Sequence, residues 1–273
     1  MTTATLTPDR RAADGVRITF PRVLRSEWVR LRSLRSTWIT MLVTVVIVIG
    51  FGALSCFGFT SRHESTGFVE PGFDPTFRSL VGTFFGQLAF GILGVLTVTG
   101  EYTTGMIRAT FMAVPRRTTV FAGRLTVFAA ATLVVLVPTT VVTFLVGQAI
   151  LARDHFDTTL SAPHVFRAVL GCALYLMSIG LLGMALGWLL RHTAGAIATL
   201  VGLLFILPLL VVFLPDPWPN RLEKWLPGGA GQAIFHVVPE ANRLAPWAGF
   251  GVLMAYLAVI LAAAALLLRA RDV

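Results

Sequence analysis

Apolar positions gather into six long runs, near residues 38–60, 79–100, 120–150, 166–190, 193–215 and 246–268. A helix needs roughly 20 predominantly apolar residues to cross a bilayer, so each run is predicted to be a transmembrane helix. Residues 21–37 follow a different pattern. Leu24, Trp28, Leu31 and Trp38 recur at helical spacing on one face, while Arg22, Arg25, Arg30, Arg32 and Arg35 cover most of the rest. This predicts an amphipathic helix lying apolar face down in the membrane interface, with Trp28, Arg30, Arg32 and Arg35 as its interface contacts. The same arginines are also a positive flank for the first span, and the two readings are compatible. Residues 1–20 are polar, rich in Thr, Ala and Arg, and read as a disordered tail. The expected organisation is therefore a tail (1–20), an interfacial helix (21–37) and a six-helix transmembrane domain (38–273): an all-α polytopic membrane protein.

Composition supports this class. Of 273 residues, 56% are hydrophobic and only 13% are charged, against about 25% charged in soluble domains. The net charge of +9 is almost all arginine; Lys224 is the only lysine. In a chain this apolar, that excess reads as membrane orientation rather than nucleic-acid binding. With the N-terminus inside, fifteen of the 22 basic residues fall on inner segments, and eight of the 13 acidic residues fall on outer ones. The positive-inside rule then places both termini in the cytoplasm. Cys56 and Cys172 lie inside apolar runs and read as small core residues.

Candidate chemistry is sparse. No apolar run holds Asp or Glu well inside, which argues against an ion-coupled relay. There is no HExxH helix, no GxSxG elbow and no GxxxxGK[ST] loop, so the chain is expected to have no catalytic site and no cofactor of its own. His63, His155 and His164 lie on outer loops without metal-ligand spacing and read as solvated. The glycine pairs Gly82/Gly86 and Gly183/Gly187, four apart, permit close helix approach. Pro138 and Pro208 read as tolerated kinks within their spans. The last outer segment, 216–245, is broken by Pro and Gly; it reads either as short half-helices dipping into the leaflet or as an ordinary loop.

The long basic interruption at residues 101–124, EYTTGMIRATFMAVPRRTTVFAGR, is the chief candidate for coupling to a partner. Thr103 or Thr104 can cap a short helix through Met106, Ile107, Arg108 and Phe111, ending at or before Val114 because Pro115 disfavours a helical residue ahead of it. Exposed Met, Ile and Phe on such a helix point to a protein partner; lying flat on the membrane is the other reading. Arg116 and Arg117 then face the cytoplasm or lipid phosphates. Glu101 reads either as a polar contact at the base of the bundle or as an ordinary interfacial acid.

These residues carry a resemblance. Glu101-Tyr102, Gly105, Ile107-Arg108 and Pro115-Arg116-Arg117, together with LPGGAGQAI at residues 226–234, resemble the corresponding stretches of actinobacterial type-2 ATP-binding-cassette (ABC) transporter permeases. Met106 stands where Thr is common there, and Arg124 where Lys is common. The resemblance implies the membrane subunit of an exporter, paired as a homo- or heterodimer, with a separate P-loop ATPase supplying the energy. It implies that Glu101, Thr104, Gly105, Met106, Ile107, Arg108, Phe111, Arg116 and Arg117 form the ATPase-coupling element. A secondary transporter and a non-transporting anchor or sensor subunit are the competing classes.

Overall fold

The computed structural model describes residues 19–33, 35–67, 69, 72–107, 112, 117–239 and 242–270. All regular structure among them is helical. The amphipathic helix α1 (Phe20–Ser33) leads into α2 (Arg35–Thr66), a short α3 (Pro75–Leu80), α4 (Thr83–Thr104) and α5 (Arg117–Leu151). After these come α6 (Val165–Leu190), α7 (Thr193–Val212), α8 (Trp218–Leu222), α9 (Pro227–Gln232) and α10 (Pro246–Ala270). Six of these, α2, α4, α5, α6, α7 and α10, are long and apolar enough to cross a membrane. The protein is an all-α, multi-pass membrane protein, and each expected span has its helix. Because the spans alternate in direction, α1, the ends of α4, α6 and α10 and the starts of α2, α5 and α7 share one end of the bundle, the basal end. The other end is called distal.

Helix α6 is the centre. In its most apolar stretch 83% of residues are buried, against 22% for α7 and α10, so the other spans are arranged around it. Packing between α4 and α6 is backbone against backbone. A methyl group at Gly94 would overlap the carbonyl oxygen of Gly180, and one at Gly183 would overlap that of Gly91. Gly82 meets the Val48 carbonyl of α2 in the same way and Gly86 the Val48 side chain, so the two glycine pairs do mark close helix approach. Cys56 and Cys172 are buried free thiols.

The prolines act as the sequence suggests. Helix α5 runs unbroken through Pro138. In α7, a π-helical turn at Gly202–Ile206 directly precedes Pro208. A proline lacks the N–H that would reach four residues back and crowds that carbonyl, and a wider turn there accommodates the loss.

The distal segments are more ordered than ordinary loops. Asp74 caps α3, its Oδ1 accepting the Thr76 and Phe77 N–H groups at 2.9 and 3.0 Å, with Pro75 at the first helical position. The dipping half-helix reading holds for residues 227–235. Leu226, Ala230, Ile234 and Phe235 are buried, and Gly231 packs against Tyr175 and Leu253. Tyr175 lies about ten residues, roughly 15 Å, inside α6, so this segment penetrates well below the distal rim.

Candidate functional site

Two carboxylates and two guanidiniums meet at the basal end, each drawn from a different turn of the fold. Glu27 and Arg30 come from α1, one turn apart; Glu101 comes from the last turn of α4; Arg124 comes from the second turn of α5. Arg124 donates through Nε and Nη2 to the two oxygens of Glu27, at 3.1 and 3.3 Å, and through Nη1 to Glu101 Oε2 at 2.8 Å. Arg30 bridges the same two acids, with Nη2 2.6 Å from Glu101 Oε1 and Nη1 3.1 Å from Glu27 Oε2. Its Nη2 also donates to the Thr97 carbonyl. The result is a closed, charge-neutral ring. Arg124 is 4% exposed and Glu101 5%, so the ring lies inside the fold.

Neutrality is what lets these charges be buried. An unpaired ion in the interior costs several kcal/mol, whereas here every carboxylate oxygen is paired with a guanidinium nitrogen. Burial, then the neighbouring Arg124, pull Arg30 below its ordinary value, while Glu101 and Glu27 oppose them. The Arg124 guanidinium also sits 5.3 Å from the Trp188 ring centroid, and Arg191 sits 5.4 Å from that of Tyr102. Both are cation–π distances. Tyr102 and Phe121 in turn pack edge-on to Trp188. The ring therefore joins α1, α4, α5 and the end of α6. A cavity of about 20 Å³, room for a single water, lies beside it among Thr97, Phe128 and Met184.

Each residue expected at the coupling element has a definite place or falls outside the described residues. Glu101 is in the ring. Thr103 and Thr104 do not cap a new helix; both hydroxyls donate back to the Gly100 carbonyl at 2.9 Å and close the end of α4. Gly105 then adopts a left-handed conformation, φ 72°, which terminates α4 as glycine does best. Helical backbone resumes at Met106 and Ile107. Met106 is 60% exposed, but Ile107 is 3% exposed and joins the core, so the expectation that both face outward is corrected. Successive residues of a helical turn point about 100° apart, so the two cannot share a face. Arg117 opens α5, and its Nη1 donates to the Leu268 carbonyl of α10 at 3.3 Å. Arg108, Phe111 and Arg116, with Val114 and Pro115, lie outside the described residues.

The amphipathic helix is rotated from its expected setting. Val23, Glu27 and Leu31 face the bundle, while Trp28 is exposed, as are Arg32 and Arg35. The sequence reading put Trp28 and Leu31 together on the membrane face and gave Glu27 no place. The ion pairs to Arg124 and the contact of Val23 with Gly123 turn Glu27 inward instead. Glu27 and Arg124 were not singled out by spacing, since 97 residues separate them. Their one signal is an acid on a basic helix and a basic residue four positions inside the apolar run 120–150.

A second polar set binds the distal end. Gln148 of α5 donates to the Pro75 carbonyl and the Ser79 hydroxyl and accepts from the Thr158 N–H. Deeper in the bundle, the Tyr175 hydroxyl donates to the Gln87 side-chain carbonyl. No protein-family model matches the chain, and no curated protein matches it.

Proposed function

We propose that the chain is the membrane-spanning permease subunit of an ABC exporter, working with a separate P-loop ATPase and a second permease copy. In this reading both termini and residues 101–124 face the cytoplasm of a bacterial plasma membrane, and substrate leaves toward the distal end. One observation carries the reading. The stretch that resembles a coupling element is flanked by residues locked to the rest of the bundle: Glu101 to α1 and α5 through the ion-pair ring, and Arg117 to α10. Force applied between Gly105 and Arg117 is thereby delivered to α1, α4, α5 and α10 at their basal ends. The exposed thioether of Met106 supplies an apolar contact at that surface.

The ring also bears on the ion-coupled alternative. Glu27 and Glu101 are buried carboxylates at the base of the bundle, a place the sequence reading had offered for Glu101 but not for Glu27. Each is held by two guanidiniums, the geometry of an ion-pair lock rather than of an acid free to carry protons. The test is to ask whether a neighbouring reading frame encodes a P-loop ATPase and to co-express that candidate with the chain. The pair should co-purify, the permease should alter the ATPase rate, and charge reversal of Arg108 together with Arg116 should weaken the complex at least about tenfold. Full transport in vesicles without any ATPase, or flux that follows an imposed proton gradient, overturns the reading.

A further inference from the structure

A cavity of about 220 Å³ lies between α3, the first turn of α4 and the dipping segment that ends at Phe235. The phenyl rings of Phe77, Phe84 and Phe235 and two aliphatic side chains make most of its wall; Thr83 and Gln232 supply the polar remainder. Its depth follows from Thr83, whose hydroxyl meets the Cys172 thiol at 3.0 Å. Cys172 is seven residues, roughly 10 Å, inside α6, so the cavity lies below the distal rim, within the span of the bundle. Phe84 is 48% exposed and packs edge-on to Phe205 in the π-helical turn of α7, with centroids 5.2 Å apart. The opening beside Phe84 is therefore lateral, toward the membrane rather than toward water.

Charge, shape and hydrogen bonding each narrow the occupant. None of the lining residues, among those described, is ionisable. His236, whose ring stacks on Phe77 with centroids 3.9 Å apart, is neutral as well, because burial, reinforced by Arg243, depresses it to about 3. A charged group would lose its hydration here and find no counter-ion in the wall, so the occupant is uncharged. The Phe77 and Phe235 rings lie 11° from parallel with centroids 6.0 Å apart, flat surfaces suited to another ring. The Tyr175 hydroxyl contacts the Gln232 side chain but gives its proton to Gln87, so it can only accept from the Gln232 amide. One N–H and the carbonyl of Gln232 are left for a ligand. The volume exceeds the roughly 150 Å³ of a cavity that holds benzene and falls below the usual drug-sized pocket. We propose that this cavity binds an uncharged one- or two-ring aromatic molecule bearing a hydrogen-bonding group, which enters past Phe84 and is held by the phenyl rings and the Gln232 amide. The site is independent of the transport reading, and its test needs no ATPase.

Equilibrium dialysis of the purified full chain in detergent against protein-free micelles tests it, with 2-naphthol, naphthalene and 1-decanol as probes. The wild type should bind 2-naphthol saturably and in preference to 1-decanol. Q232L should weaken 2-naphthol by about three- to tenfold, the loss of one buried hydrogen bond, and bind naphthalene no more weakly than the wild type. Naphthalene shows that the cavity is intact, so the ratio of the two affinities reports the amide rather than folding. V81F, which fills the cavity, should weaken both ring compounds by at least about tenfold. Preference for 1-decanol with no effect of Q232L identifies an acyl-chain site and overturns the proposal. Absence of saturable 2-naphthol binding, or an unchanged ratio of 2-naphthol to naphthalene affinity in Q232L, overturns it as well.

Discussion

Replacing Arg124 with glutamine removes three guanidinium contacts, at 2.8, 3.1 and 3.3 Å, and one positive charge from a ring in which Glu27, Glu101 and Arg124 are buried and Arg30 is partly exposed. Glu27 and Glu101 would then share Arg30 alone, and the buried set would pass from neutral to a net negative charge. Deleting one partner of a buried pair costs about 3–5 kcal/mol, because the partner left behind keeps its desolvation penalty. A glutamine amide can still donate to one carboxylate and recovers about 1 kcal/mol. The expected loss is therefore about 3 kcal/mol. E101Q alone leaves an excess positive charge and should cost about 2 kcal/mol. The double variant E101Q/R124Q leaves Glu27 and Arg30 as a neutral pair. It should be less destabilised than the two single losses added together, with a coupling of about 1–3 kcal/mol. Equilibrium unfolding of the full chain by SDS titration in mixed micelles measures all four corners of the cycle. A cost for R124Q below about 1 kcal/mol, or additivity within about 0.5 kcal/mol, refutes the claim that the ring is a closed electrostatic unit.

Three other outcomes follow from the packing and the distal polar set. G94A places a methyl group against the Gly180 carbonyl and should destabilise by about 1–3 kcal/mol, whereas G100A in the same helix, whose methyl meets open space, should be neutral or stabilising by up to about 1 kcal/mol. Matching unfolding midpoints for the two variants would show that α4 and α6 do not approach this closely. D74A strips the acceptor from four backbone N–H groups, so amide exchange at Val237 and Val238 should accelerate at least about tenfold, and unchanged exchange would exclude the tie. His236, held near 3 in the fold against 6.5 for the free side chain, is neutral where the unfolded chain would bind a proton, so it contributes no pH-dependent loss above pH 6.5 and stability falls as pH drops from there towards 3. The wild type should lose about 2 kcal/mol more than H236Q between pH 7 and pH 5, and parallel pH profiles for the two would refute the assignment.

What was legible in the sequence was what depends on neighbours along the chain. The six spans, the existence of the α1 helix and the close glycine contacts are local or periodic properties, and these were read correctly, although the face that α1 turns to the bundle was not. The ring was not legible, for a physical reason. Glu27 on a helix bearing five nearby arginines looks like one more solvated charge, and Arg124 looks like a span-end anchor. Only the closure of α1 onto α5 makes them a pair, and nothing in a 3.6-residue period encodes which distant residue will face them. The same holds for Asp74: its cap on α3 is announced by the Asp-Pro step, but its tie to Val237, across 163 positions, is not. Yet Glu27 carries a usable signal in retrospect. An acid on the bundle-facing side of a basic amphipathic helix must be paired if that helix packs on protein, and unpaired if it lies only on lipid. Its pairing is therefore what turns α1 from a membrane-surface element into part of the bundle. Any movement imposed on the Glu101 end of α4 must either carry α1 with it or break the ring.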